Sequence, residues 1–373
     1  MKPSGIGGMA AIEGVMMRNK DEYAIAVRKP DNEIIIEKTE HKSFSDKVKL
    51  FKLPIFRGML SFVDSMVIGL KVISFSSSFI EEEEKDQKEN KEESGKVSAL
   101  LMFFAVLVSL VVSISLFMVL PVLISSFFTR WIESIFLLSL MEGILRLLIF
   151  IGYIILASRM TEIKRMFMYH GAEHKTINCL ENGFELNLEN VKWQSKTHKR
   201  CGTSFMLFVM LISLVLFVII RPETLLWRIL SRILLVPIIA GVSYEFIRLA
   251  GKTNNPVMNI LSKPGIWMQA LTTKEPDDDM IEVAIQSVDA VFNWREFLAE
   301  VTETVKDEAD ITDDTKKSKR VKKDSSIKDK ESAKKEYAAA NEILIASPKI
   351  DYEEEDDEIL RALDKYLDFD EEK

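Results

Sequence analysis

"VSALLMFFAVLVSLVVSISLFMVLPVLISSFFT", residues 97–129, decides the fold: 33 residues pass without one charged side chain. About 20 apolar residues in a helix cross the hydrocarbon of a bilayer, and no soluble helix or strand needs an uncharged run of this length. The run predicts a membrane span over 99–120, stopped or kinked by Pro121, which has no N–H to donate. Downstream, three more spans are expected. One covers 134–157, where Glu142 and Arg146 lie a turn apart and can pair. The next covers 203–220, bounded by Arg200 and Arg221. The last covers 229–250, with Arg232 near one end and Glu245 and Arg248 near the other. The expected fold class is therefore mainly α: a polytopic membrane protein with about four transmembrane helices over 97–250, a small N-terminal β-hairpin region and a disordered acidic tail.

The flanks of this domain read differently. Residues 1–45 hold a Gly- and Met-rich start and a predicted hairpin, Tyr23–Arg28 and Glu33–Lys38, joined by the turn residues "KPDN". No cleavable signal peptide is expected, because Glu13 and several glycines interrupt the first 20 residues. Residues 46–96 are expected to form a helix after Pro54, lying in the membrane interface or against the bundle rather than spanning because Asp64 and Lys71 interrupt it, and then a solvated charged linker at 81–96. Residues 251–297 predict a cytoplasmic interfacial segment with a Pro-Gly turn, a Trp at interface depth and an amphipathic helix from about 278. Residues 298–373 predict the disordered tail, whose last stretch, "EDDEILRALDKYLDF", reads as an acidic amphipathic helix awaiting a protein partner.

Charge fixes orientation. The stretch 301–373 carries 23 acids and 15 bases, so the net −8 belongs to the tail and the remainder balances at 34 and 34. The 159–202 connection carries eight bases, against one and two in the connections on the other side. Basic loops stay cytoplasmic, which places that loop and both termini on the cytoplasmic face of the plasma membrane. Two cysteines make no disulfide framework, and no motif points to nucleic acid.

Within the basic loop lies "YHGAEHKTINCLENG", residues 169–183. On a helix His170 and His174 share a face, with Glu173 on the same side. That is the H-E-x-x-H ligand geometry read backwards. A catalytic zinc needs three protein ligands and an open position for water, which a neighbouring carboxylate deprotonates. Five residues of this kind also arise by chance, so the pattern needs company. "THKRCGT" supplies His198 and Cys201 at ligand spacing, and Glu245 sits at the cytoplasmic end of the fourth span, a costly depth for a carboxylate. Topology brings all of these to one leaflet. The bland alternatives are that His198 faces lipid phosphates, that Cys201 only packs, and that Glu245 pairs with Arg248.

The blocks "GGMAAIEGVMMR", "YHGAEHKTIN", "HKRCGTSF", "GVSYEF" and "PGIWMQALTTKEPDD" together resemble the YqhQ family of bacterial membrane proteins over residues 5–290. The resemblance implies membrane residence and a metal-dependent enzyme, with no substrate. The matching positions are Glu13, Arg18, His170, Glu173, His174, His198, Cys201 and Glu245. Met9 stands where the family has Gln, and the acidic tail lies outside the family core.

Two readings follow. The first is a hydrolase at the cytoplasmic membrane surface, holding a divalent metal, zinc by its ligands. His170 and His174 bind it, Glu245 or His198 comes third, Glu173 is the base, and Glu13 and Arg18 meet an anionic substrate such as a lipid phosphate. The second is a non-catalytic scaffold or sensor, with the cluster closed by four protein ligands including Cys201. A transporter ranks third, since the spans hold few polar residues. Expected partners are membrane lipid and a protein for the tail, with self-association left open.

Overall fold

Residues 7–40 build a four-stranded antiparallel meander in the order β1 (Gly7–Ala11), β2 (Gly14–Asn19), β3 (Glu22–Arg28), β4 (Ile34–Glu40). The predicted hairpin is β3–β4, closed by the Lys29 N–H on the Glu33 carbonyl at 2.9 Å, with Asn32 left-handed at φ 68°. The expectation fell two strands short. "GGMAA" and "GVMMRN" have little intrinsic strand preference, and they pair because both sheet faces are covered. Register puts Met9, Met16 and Ile25 opposite one another on one face. This face packs Met16, Tyr23, Ile25 and Val27 against Ile68 and Val72 of helix α1 (Phe56–Gln87). On the other face Val15, Met17, Ala24 and Ala26 are fully buried.

The computed structural model describes residues 3–42, 53–87, 95–198, 200–220, 222, 224–250 and 256–301. The expected charged linker, residues 81–96, is corrected at both ends, since 81–87 belong to α1 and 95–96 to the next helix, which starts at Gly95. Residues 298–301 of the expected disordered tail are helical; the rest of both, 88–94 and 302–373, lies outside the described residues.

After α1 come α2 (Gly95–Ile114), a wide π-type turn (Ser115–Val119), α3 (Leu120–Phe127) and α4 (Ile135–Ala157). Then follow α5 (Thr161–Glu181), which carries the histidine pair, and the short α6 (Leu188–Lys192). The chain continues through α7 (Gly202–Ile219), α8 (Leu225–Leu234), α9 (Val236–Ala250), α10 (Pro256–Thr272) and α11 (Asp278–Val291). Helix α11 covers the second sheet face, with the Ser287 hydroxyl donating to the Ala24 carbonyl at 3.0 Å.

Among the described residues four helices are long and apolar enough to cross a membrane: Phe56–Phe79, Phe104–Arg130, Ile135–Ala157 and Gly202–Ile219. Three of these match expected spans. The predicted fourth span is instead two helices, α8 and α9, bent by 43°. Pro237 stands in the first turn of α9, where its missing N–H costs nothing, so a new helix starts there. The expected Pro-Gly turn at 264–265 is also corrected: α10 runs straight through Pro264. The amphipathic helix expected from 278 is α11.

Candidate metal centre

Helix α5 sets His170 and His174 one turn apart, with ring centroids 4.3 Å from each other. Each ring is oriented through Nδ1. His170 Nδ1 lies 2.8 Å from the Thr272 carbonyl and His174 Nδ1 2.6 Å from the Lys196 carbonyl. A carbonyl only accepts, so both Nδ1 atoms carry the proton and both Nε2 atoms present a lone pair. Metal-binding histidines are oriented in this way. Residue 171 is glycine for a steric reason: a Cβ there would run into the Lys274 carbonyl, the neighbour that brings Thr272 to the site.

The third group is Cys201. Its sulfur caps α7, accepting the Thr203 N–H at 3.4 Å, and lies 3.2 Å from His170 Nε2. The ligand atoms of His170, His174 and Cys201 all lie within 4.8 Å of one another. His174 is fully buried, yet its Nε2 makes no hydrogen bond of acceptable geometry with any described residue. An orphaned buried nitrogen costs free energy unless something meets it. Burial also holds the His174 imidazole below its usual pKa, hence neutral, as a metal ligand must be.

Glu173 is buried beside this group, its Oε2 3.9 Å from His170 Nε2. Gly8 of β1 presses against it, so close that a Cβ there would meet the Glu173 carboxyl at 2.7 Å. No described residue hydrogen-bonds this carboxylate. Burial pushes its pKa up, and His170 and His198 oppose that in part.

Other residues grouped with these in the sequence lie elsewhere. His198 is near, its ring centroid 5.8 Å from that of His174, but its Nε2 faces Glu181 at 3.5 Å. Glu245 is not in the group. Arg57 of α1 grips it through both carboxylate oxygens, at 2.6 and 2.7 Å, and Arg248 is the weaker partner at 3.7 Å. Glu13, left-handed at φ 51°, is held by Arg165 at 2.6 Å and Tyr169 at 3.2 Å. It faces a neighbouring cavity rather than this one. Arg18 does line the site's cavity.

That cavity, about 630 Å³, runs along the free edge of β1 and takes in Arg18, Lys20, Ser65, Ile68, His170, Glu173 and Cys201. Sequence reasoning missed three supports. Fully buried Gln269 bonds the His198 N–H and carbonyl, each at 2.8 Å, and so fixes the approach to Cys201. Glu181 binds His198, Arg200 and the Ser4 N–H. The carbonyls of Thr272 and Lys196 orient the rings, and backbone oxygens leave no mark in a sequence. Gln269 lies inside "PGIWMQALTTKEPDD", where nothing local distinguishes it from a surface glutamine.

Comparison with known proteins adds kinship. The family model described as "Protein of unknown function (DUF1385)" matches residues 53–294. The "Uncharacterized protein YqhQ" of Bacillus subtilis (strain 168) is 35% identical over 291 residues, covering 76% of this chain and 91% of that protein. No solved structure matches.

Proposed function

The chain belongs to the DUF1385 family, whose description assigns no chemistry, and we propose from its own residues that it is a metal-dependent hydrolase of the cytoplasmic membrane surface. That membership bears out the resemblance read in the sequence and leaves metal and reaction to be argued. The observation that carries the reading is the fully buried, unpartnered Nε2 of His174, gathered with His170 Nε2 and Cys201 Sγ. Two imidazoles and a thiolate suit zinc. When bound, the metal would supply Lewis-acid polarisation and activation of water.

The residues of the chain supply the rest. The Thr272 and Lys196 carbonyls keep both rings in the ligating tautomer. Glu173, buried and free of hydrogen bonds, is placed to take a proton from a water entering along β1. Gly8 leaves the room this carboxylate needs. The open-site reading leaves Cys201 out, and here Cys201 joins the two histidines; the group nevertheless counts three donors among the described residues, which leaves a position open. That favours the hydrolase over the scaffold.

Metal analysis of full-length protein purified without chelator tests this. Wild type should hold about one equivalent. His170→Ala, His174→Ala and Cys201→Ala should be empty, Glu173→Gln loaded but inactive, and Glu245→Gln loaded, since its partner is Arg57. A wild type without stoichiometric metal overturns the reading.

A further inference from the structure

We infer that the cavity beside the candidate metal centre receives an anionic amphiphile, a phosphate ester carried on an apolar chain and drawn from the cytoplasmic leaflet. This deepens the hydrolase reading and rests on it for the reaction, though not for the binding.

Three observations converge. The first is charge. Arg18 spends its Nε on the Lys20 carbonyl at 2.9 Å, and no described residue accepts from its terminal nitrogens. Lys20 has no carboxylate partner among the described residues either. Arg200, by contrast, is taken up by Glu181. Two uncompensated cations therefore line a cavity whose one described carboxylate is the buried Glu173. The second is the lining between them, which is largely apolar: Met9, Met16, Ile68, Met166, Phe167 and Ile177.

The third is position. The cavity takes in Cys201–Thr203, where the apolar helix α7 begins, and Ser65 and Ile68 of α1. On α1, Val63, Met66, Leu70 and Ile73 form an exposed apolar stripe, 37–65% accessible, on the side away from the sheet. A helix of this kind lies in the plane of the headgroups with its stripe towards the acyl chains. The cavity thus opens beside a lipid-facing surface. Pairing of cations with a phosphate supplies orientation, and the apolar walls receive the first part of the chain. An extended peptide would find hydrogen bonds on the β1 edge, but it leaves both cations unanswered.

The test titrates fluorescently labelled phosphatidylglycerol into full-length protein in neutral detergent. Saturable binding is expected, weakened about tenfold or more in Arg18→Gln/Lys20→Gln with metal content and melting temperature unchanged. Equal affinity for phosphatidylcholine, or undiminished binding by the double variant, overturns the inference. Glycerol 1-phosphate competing as strongly as the lipid would make the ligand a soluble phosphate and overturn the membrane source. Displacement by a capped apolar pentapeptide would hand the cavity to a peptide. His174→Ala separates the two readings: lipid binding that persists in metal-free protein sustains this inference even where the hydrolase falls.

Discussion

At the scale of single residues, Glu181 shows how the histidine-rich loop is held. Burial alone would raise its carboxyl pKa. The hydrogen bond from His198, the Arg200 charge and the Ser4 N–H outweigh burial and hold it at about 2, below the ordinary 4.5. A carboxyl depressed by folding adds stability above its unfolded pKa and loses it as pH falls through the folded one. The contribution is therefore full at neutral pH and fades from about pH 4.5 towards 2. Glu181→Gln should cost about 3 kcal/mol at most at pH 7 and flatten the acid limb of the melting curve. Thermal unfolding in detergent at pH 7, 5 and 4 checks it; a variant as acid-sensitive as wild type refutes the assignment. The sequence revealed the histidines and Cys201 because rare residue types at ligand spacing stand out. It misplaced Glu245 because Arg57, the partner that holds it, lies 188 residues away on a helix whose packing no local pattern encodes.

At the scale of elements, Pro121, expected to stop or kink the first span, does neither sharply. A proline cannot bond the carbonyl four residues back, which is Phe117. The helix does not end; it widens at Ser115–Val119 and continues to Phe127. The freed Phe117 carbonyl accepts from Arg146 Nε at 3.0 Å, so a buried acceptor is satisfied from α4. Arg146 in turn belongs to a cluster the sequence showed only in part, as a pair with Glu142. Arg228 and Arg232 of α8 join it at 3.0 and 2.9 Å from Glu142. Arg146 and Arg232 also flank the Phe217 ring of α7, at 4.6 and 4.0 Å. One carboxylate thus ties α8 to α4 and helps impose the bend at Leu235, which explains why an unbroken fourth span was the wrong expectation. Removing one partner of a buried ion pair strands the others. Glu142→Gln should then lower stability by about 3–5 kcal/mol, read as a drop in melting temperature with no loss of bound metal. An unchanged melting temperature would show that the cluster does not fasten α8.

At the scale of the whole molecule, packing constrains which of the apolar helices could cross a membrane. The sheet, α5, α6 and α11 form one body: Gly8 lies against Glu173, Asn19 donates to the Val291 carbonyl at 3.1 Å, and Lys192 pairs with Asp278 at 2.8 Å. Residues 3–42, 161–198 and 278–294 therefore share one side. With the apolar helices in a bilayer, the chain would have to cross an even number of times between β4 and α5, and again between α6 and α11. In the first interval three helices are apolar enough, and one must stay out. That one is α1, because Ile68 and Val72 pack on the sheet and Asp64 is buried. Composition alone would make α1 a span; its contacts with the sheet, and with α9 at Gly58 and Gly241, favour the expected helix in the interface or against the bundle. In the second interval α7 would cross out and the bent pair α8–α9 return, so we propose four crossings. By the eight bases of the 159–202 connection, the proposal puts the shared body on the cytoplasmic side. In a Cys179→Ala/Cys201→Ala background, single cysteines at Asp31, Glu185 and Asp289 should all resist a membrane-impermeant maleimide in intact cells, while one at Ser134 should react. Reaction at Asp31 with protection at Glu185 would mean that α1 crosses and that the sheet does not pack on α5. Reaction at all three would keep the packed body but turn it to the outside, and the candidate metal centre with it.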